Sequence, residues 1–241
     1  MRTDRAAFVD VDHTLIHGNS MGSFLRHLGG DVPAAVAALR GLPRAQANRA
    51  YFRMLAGRPV SQLSEEGRAW FTPEMFTQPV LEAVREHRRA GDRVFLVSGS
   101  FFACLDPIAE AVGADRVFCT RPVVRDGRLT GEVLAPMLDE LKARVVRLTA
   151  AALGLDLARC SAYGDHVSDL PMLAEVGRPV VVGDDPALAA VARERGWEVS
   201  ASTPATAGPA AGHVPHRTDA RAATRWRPGP AAEPAAPRPS A

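Results

Sequence analysis

Lysine is almost missing from this chain of 241 residues: of its 29 basic side chains, Lys142 alone is a lysine and the others are arginines. A codon bias towards Arg and Ala accounts for the trend. Under that bias a lysine that persists marks a position where a planar guanidinium does not serve and a compact ammonium does. Cysteine is scarce as well. Cys104, Cys119 and Cys160 are odd in number, far apart and without a CxxC pair, which argues against a disulfide framework and a zinc site. Isolated thiols in apolar surroundings are ordinary in a reducing compartment. No apolar run approaches the ~18 residues of a membrane helix. The opening MRTDRAA leads directly into a strand without an apolar leader. The expectation is a cytoplasmic protein without a membrane partner. Charge of one sign is lacking too: the net charge of +2 gives no reason to expect a nucleic-acid partner.

Apolar residues are plentiful, at 46%, enough for one large domain or a core with a small insert. Strand and helix signals alternate over residues 1–200. Ala6 to Val9 and Val94 to Val97 are short apolar runs that end in polar residues. Cys160 to Tyr163 and Val180 to Val182 have the same character. Helical spacing is clear over Pro79 to Arg89, Phe101 to Val112, Leu138 to Leu153 and Pro186 to Glu194. In the third of these, Leu141, Val145, Leu148 and Ala152 share one side. Asp126-Gly127 predicts a hairpin turn. Strands separated by helices of this length predict an α/β fold with a doubly wound, mostly parallel sheet. The segment 21–78 breaks the rhythm. It is helical and too long for a loop, so it is expected to form a small cap inserted after the first strand, with the core at 1–20 and 79–200. The tail, 201–241, is rich in Ala, Pro and Arg without a periodic apolar face, and is expected to be disordered.

Polar residues gather where these strands end. In open α/β sheets, ligands bind at the carboxyl ends of strands. The first strand delivers Asp10, Asp12 and Thr14. The second delivers Ser98, Gly99 and Ser100. A later strand delivers Asp165 and Asp169, and the preceding helix carries Lys142. Asp10 and Asp12 are two apart and face one way on an extended chain. Neighbouring carboxylates resist joint ionisation unless a cation intervenes, and Mg2+ suits hard oxygen ligands with substrate phosphate completing its shell. Ser98-Gly99-Ser100 before a helix offers free N–H groups to a phosphate, and Lys142 a point charge. A reaction follows. Asp10 attacks phosphorus to form an acyl phosphate, and Asp12 protonates the leaving oxygen and then activates water.

DVDHT at 10–14, VSGS at 97–100, Lys142 and GDHVSD at 164–169 resemble the four ordered motifs of the haloacid dehalogenase-like (HAD) superfamily. The early helical insert, DGRLTG at 126–131 and the VGDDPAL stretch are similar to its phosphoserine-phosphatase-like subfamily, IB. The resemblance implies Asp10 as nucleophile and Asp12 as acid/base. It also implies Asp165 as a metal ligand with Asp10 and the backbone carbonyl of Asp12. Thr14, Ser98, Gly99 and Lys142 would bind phosphate, and Asp169 would support the metal or Lys142. The implied substrate is a small phosphomonoester. Alternatives are a phosphotransferase or phosphomutase on the same fold, or a phosphate-binding module without catalysis. One departure stands out: His17-Gly18-Asn19 places an amide where phosphoserine phosphatases carry a glutamate for the substrate's amine, which argues against phosphoserine. Arg53 is a candidate for a substrate carboxylate.

Overall fold

A computed structural model describes residues 3–29, 39 and 41–200. The tail expected to be disordered, and residues 30–38 and 40 of the expected cap, lie outside the described residues.

Six parallel strands form the sheet. They are β1 (Ala6–Val9), β2 (Arg93–Ser98), β3 (Arg116–Cys119), β6 (Ser161–Gly164), β7 (Arg178–Val182) and β8 (Glu198–Ser200), in the order β3-β2-β1-β6-β7-β8. The period of two along each strand sorts the core into two halves. Ala7, Val9, Val94, Leu96, Val180 and Val182 face one way; Ala6, Phe8, Phe95, Val97, Ala162 and Val181 face the other. Helices α4 (Gln78–Arg89) and α5 (Phe102–Val112) cover the first face. Helices α6 (Glu140–Leu153), α7 (Leu170–Leu173) and α8 (Pro186–Arg195) cover the second. This is the doubly wound α/β architecture that the alternating elements predict. Strands run outward in both directions from the β1–β6 pair, so the strand order reverses there. Two edge strands, β3 and β8, went unanticipated: their residues are largely exposed or half-buried and carry no continuous apolar signal.

Helix α6 buries Lys142, Ala143, Val146, Thr149 and Ala150, while Leu148, on the side shared by Leu141, Val145 and Ala152, is 58% exposed. The buried face brings Lys142 inward together with Ala143, Val146 and Ala150.

Between β1 and α4 lie α1 (Ser20–His27), α2 (Arg44–Met54) and α3 (Val60–Trp70), followed by a 3-10 turn at Pro73–Met75. Their apolar residues Phe24, Phe52, Leu55, Leu63 and Trp70 join the same core as the first sheet face. Phe101, directly after the Ser98-Gly99-Ser100 segment, is the hub. Phe24, Tyr51 and Phe52 meet its ring edge-on at centroid distances of 5.9, 6.1 and 5.3 Å, a preferred aromatic geometry. The hairpin β4 (Pro122–Arg125) and β5 (Arg128–Val133) forms a separate two-stranded sheet. Asp126 and Gly127 both have positive φ, 50° and 72°, as a type I′ turn demands. The hairpin attaches to the helical segment: Gly57 N–H donates to Leu129 O at 2.8 Å and Val60 N–H to Gly127 O at 2.9 Å. No helix among the described residues is long and apolar enough to cross a membrane.

Helix α3 crosses α5 at Gly67, where an added Cβ would lie 1.8 Å from the carbonyl oxygen of Ala103. Backbone cannot yield as a side-chain tip does. Gly67→Ala is expected to cost about 3 kcal/mol, at the upper end of overpacking. It should lower the melting midpoint by about 6–12 °C for a chain of this size. A midpoint within a degree or two of the wild type in a thermal scan would contradict this crossing.

Candidate active site

The reversal of strand order opens a crevice between the carboxyl ends of β1 and β6, where doubly wound sheets place ligands. Asp10 follows β1 at this point, its N–H donating to Tyr163 O on β6 at 3.0 Å. Asp165 follows β6, and Ser98 closes β2 next door. Lys142 reaches the same point from α6. Its ammonium is 2% exposed and donates to Asp10 Oδ1 at 2.5 Å and Asp169 Oδ1 at 2.7 Å. Asp169 is fixed from the other side by the His166 N–H on Oδ2 at 3.3 Å. It lies against Gly164, where a Cβ would come within 2.6 Å of the Asp169 Cβ, so only glycine admits this carboxylate.

Charge at the site does not balance. Carboxylate oxygens of Asp10, Asp165 and Asp169 fall within 4.8 Å of one another, and Lys142 is the cation among them. The Thr14 hydroxyl lies 3.2 Å from Asp10 Oδ2 and 3.1 Å from Asp165 Oδ1, but one hydroxyl proton serves one carboxylate at a time. Burial pushes the Asp10 pKa well above the ordinary carboxylate range; Lys142 opposes the shift, and Asp169 and Asp165 add to it. Asp165 is raised as well, by burial and then by Asp169. Burial acts to lower the Lys142 pKa, but Asp10 and Asp169 outweigh it and the group stays charged. Three carboxylates and one ammonium leave a deficit of two positive charges among hard oxygen donors, which fits a divalent cation of the magnesium type.

Asp12 points elsewhere. Its Oδ1 accepts from the Ser20 N–H at 2.9 Å, at the start of α1, and its Oδ2 from Asn19 Nδ2 at 3.2 Å. Burial raises its pKa, with the Ser20 hydrogen bonds opposing. Asn19 is committed at both ends, because its Oδ1 caps α1 through the Gly22 N–H at 2.7 Å. Ser98 Oγ accepts from the Ser100 N–H at 3.1 Å, which leaves its own proton to donate. Gly99 O accepts from Asn48 Nδ2 at 2.8 Å and Thr120 Oγ1 at 2.7 Å.

A cavity of about 290 Å³ opens beside Asp10 and Asp12, between the strand ends and the helices α1 and α2. Arg44, Ala47, Asn48 and Tyr51 line it, at helical spacings of three, four and seven that make one face of α2. Sequence reasoning passed over these residues. Arg44 Nη1 bridges to His166 Nδ1 at 2.7 Å and Ser168 Oγ at 2.8 Å, tying α2 to the segment after β6. Arg53, expected to meet a substrate, is instead exposed and off this cavity. It lies on another face of α2, against the hairpin at Gly131. Trp70 packs in the core with its indole N–H on Ser23 Oγ at 3.1 Å.

The sequence profile described as haloacid dehalogenase-like hydrolase matches residues 7–174. The chain belongs to the haloacid dehalogenase-like hydrolase family. It is similar to a probable phosphatase of Mycobacterium tuberculosis, 34% identical over 82% of this chain and 75% of that protein. A phosphoserine phosphatase of the same organism is 32% identical over 80% of this chain and 70% of its own length. A protein of Streptomyces azureus named for inhibition of morphological differentiation is 47% identical, but the match spans 48% of this chain and 42% of that relative. Among solved structures, a Bordetella pertussis protein described as of unknown function superposes with a TM-score of 0.73 at 30% identity, covering 81% of this chain and 97% of that one. A phosphoserine phosphatase captured as a phospho-aspartyl intermediate analogue shares the fold, with a TM-score of 0.66 at 23% identity over 85% and 95% of the two chains.

In this HAD-like hydrolase the buried ion pairs make a prediction independent of chemistry. Lys142→Met leaves three carboxylates without their cation, and breaking a buried pair of this kind costs about 3–5 kcal/mol. With folded pKa values raised above the unfolded ones, protonation favours the folded variant, so the deficit should shrink as pH falls below neutrality. Urea melts of wild type and variant at neutral and acidic pH measure both effects. A deficit that grows towards acid would refute the charge balance drawn here.

Proposed function

We propose that the chain is a magnesium-dependent phosphomonoester hydrolase that works through an aspartyl-phosphate on Asp10. The observation that carries this reading is the convergence of Lys142, Asp10, Asp165 and Asp169, short of two positive charges, at the point where the strand order reverses. The substrate phosphate lies between Asp10, Ser98 and Lys142. Ser98 donates its hydroxyl proton, the Gly99 segment offers backbone N–H, and Thr14 holds the orientation of the carboxylates. Asp10 and Asp165, with the Asp12 carbonyl and Asp169 in support, would hold magnesium, which would supply charge neutralisation to the carboxylates and the transferring phosphoryl group.

Asp10 attacks phosphorus as its carboxylate, which Lys142 orients and whose ionised form it favours against burial. Asp12 donates a proton to the leaving alkoxide, a role suited to a carboxyl whose pKa is raised by burial. The alcohol departs, and Asp12, now a carboxylate, takes a proton from water as that water attacks the acyl phosphate. Phosphate leaves and Asp10 is regenerated. The segment 21–78, together with the β4–β5 hairpin bonded to it, serves as the cap that encloses the leaving group and excludes bulk water. The substrate is a small phosphorylated metabolite, as the 290 Å³ cavity allows.

With magnesium, wild-type protein should release phosphate from a chromogenic phosphomonoester, and Asp10→Asn should lower the rate by about a thousandfold or more. Asp12→Asn should lower it by about a hundredfold or more, as expected for lost acid/base catalysis. Acid-quenched wild type should carry a covalent phosphate that Asp10→Asn lacks. Appearance of the phosphoryl group on an added alcohol, with little free phosphate, would instead assign transferase chemistry. A comparable rate in Asp10→Asn would sink the proposal.

Binding of the metal has its own readout. At a magnesium concentration about 100 times its Kd, linkage adds about 2.7 kcal/mol of stability, a midpoint rise of about 5–10 °C. Asp165→Asn should lose most of that rise. An equal rise in the variant would place the metal elsewhere.

A further inference from the structure

We infer that the cavity beside Asp10 takes the phosphate ester of an uncharged, hydroxyl-bearing alcohol rather than that of an amino acid or an amine. This rests on the phosphatase reading above and names its substrate class. The argument begins with two buried polar atoms. Asn48 Oδ1 and the Tyr51 hydroxyl have no hydrogen-bond partner among the described residues, although both side chains are more than nine-tenths buried and both line the cavity. Buried polar groups are nearly always paired, so an orphan pair in one wall points to a ligand that completes it.

The chemistry of the pair selects the ligand. Asn48 Nδ2 is spent on Gly99 O at 2.8 Å, which fixes the amide's orientation and leaves Oδ1 as a pure acceptor. Tyr51 OH donates or accepts. Burial pushes the tyrosine pKa well up, so the group stays a neutral phenol. One acceptor and one neutral donor-acceptor, three residues apart on the same helix, match a hydroxyl that gives its proton to Asn48 and receives one from Tyr51.

An ammonium finds no such match. Among the described residues, the carboxylates in the cavity wall are Asp10 and Asp12. Asp10 is paired with Lys142, and Asp12 is held by Ser20 and Asn19. Asn19 itself is committed at both ends of its amide. Among the described residues a cationic leaving group would therefore meet no free counter-charge, and burying it so is costly. For a carboxylate the cation at the rim among the described residues is Arg44, whose Nη1 already bridges to His166 Nδ1 and Ser168 Oγ. Met21, Ala47 and Leu138 add apolar wall and favour carbon over charge.

The test uses the full chain with magnesium. Calorimetric binding to Asp10→Asn, which does not turn over, is measured for glycerol 1-phosphate, O-phosphoserine, phosphoethanolamine and 3-phosphoglycerate. The ratios of kcat/KM are measured for the same esters with wild type. Glycerol 1-phosphate should bind at least about tenfold more tightly than each of the three charged esters, the size of effect expected when a charge is left unpaired. In the Asp10→Asn background, Tyr51→Phe should weaken glycerol 1-phosphate about fivefold to tenfold, the worth of one hydrogen bond. Asn48→Asp should shift the preference towards phosphoethanolamine. Equal or tighter binding of a charged ester overturns the inference, as does binding of none of them, or a preference that neither substitution moves. Preferential binding without phosphate release from wild type would sink the phosphatase reading and leave the cavity assignment standing. Asp10-dependent release with phosphoserine preferred would do the reverse.

Discussion

One buried ammonium organises the molecule's polar interior. Lys142 is enclosed in protein and shared between Asp10 and Asp169, and three elements are set by that arrangement. Helix α6 takes the rotation that turns Lys142 inward, at the expense of leaving Leu148 exposed. The turn after β6 brings Asp169 back against Gly164, a position with no room for a side chain. Asp10 is held at the end of β1 by its backbone bond to Tyr163. An arginine would not fit the same role: its planar fork spreads charge over several nitrogens and is matched to bidentate partners, whereas this site asks one compact donor to touch two carboxylates at once. In a chain otherwise committed to arginine, that geometric demand is a physical reason for its single lysine.

The topology explains why these groups meet although Asp10 and Asp169 lie far apart in sequence. Parallel strands send all their carboxyl ends to one side, and the reversal of order between β1 and β6 separates the flanking helices there. Backbone carbonyls and N–H groups that end at this edge are free to face a ligand. The helical segment between β1 and α4 then roofs the crevice instead of opening a new domain, because its aromatic residues share a core with the sheet through Phe101. Phe101 follows directly on the Ser98-Gly99-Ser100 turn, so packing of the roof and placement of that turn are coupled. The close crossing of α3 and α5 at Gly67 anchors one side of the roof, and Arg44 meets His166 and Ser168 on the other.

Much of this was legible in the sequence, and what was not has physical causes. Central strands are buried on both faces, so β1, β2, β6 and β7 read as apolar runs; β3 and β8 are edge strands with mixed exposure and read as loops. The polar residues at strand ends stood out because acids and Ser-Gly-Ser directly after apolar runs are unusual, and the order of four such segments is specific. In helix α6 the side shared by Leu141, Val145, Leu148 and Ala152 is not the buried one, because the smaller Ala143, Val146 and Ala150 pack inward beside Lys142. Asn48 and Tyr51 were silent since an amide and a phenol on a helix look like ordinary surface or core residues. Only the three-dimensional wall shows that each has a polar atom without a partner. Arg53 looked suitable by type and lies on the wrong face of α2.

Asn19 shows how one substitution redistributes the work of a site. A carboxylate at this position would place charge near the leaving group, but the amide here is closed on itself: one end caps α1 and the other steadies Asp12. Capping by a side-chain oxygen satisfies an N–H that the first helical turn leaves open. It also fixes where α1 begins, and hence where the Ser20 N–H meets Asp12. The gain is an Asp12 held by two hydrogen bonds from neutral donors rather than by a cation. Such an environment keeps a carboxyl's pKa raised by burial while leaving it able to gain and lose a proton, which an ion pair would prevent. The cost is that both ends of the Asn19 amide are already engaged within the protein. Across the cavity, α2 presents an acceptor and a phenol that no residue of the described chain satisfies.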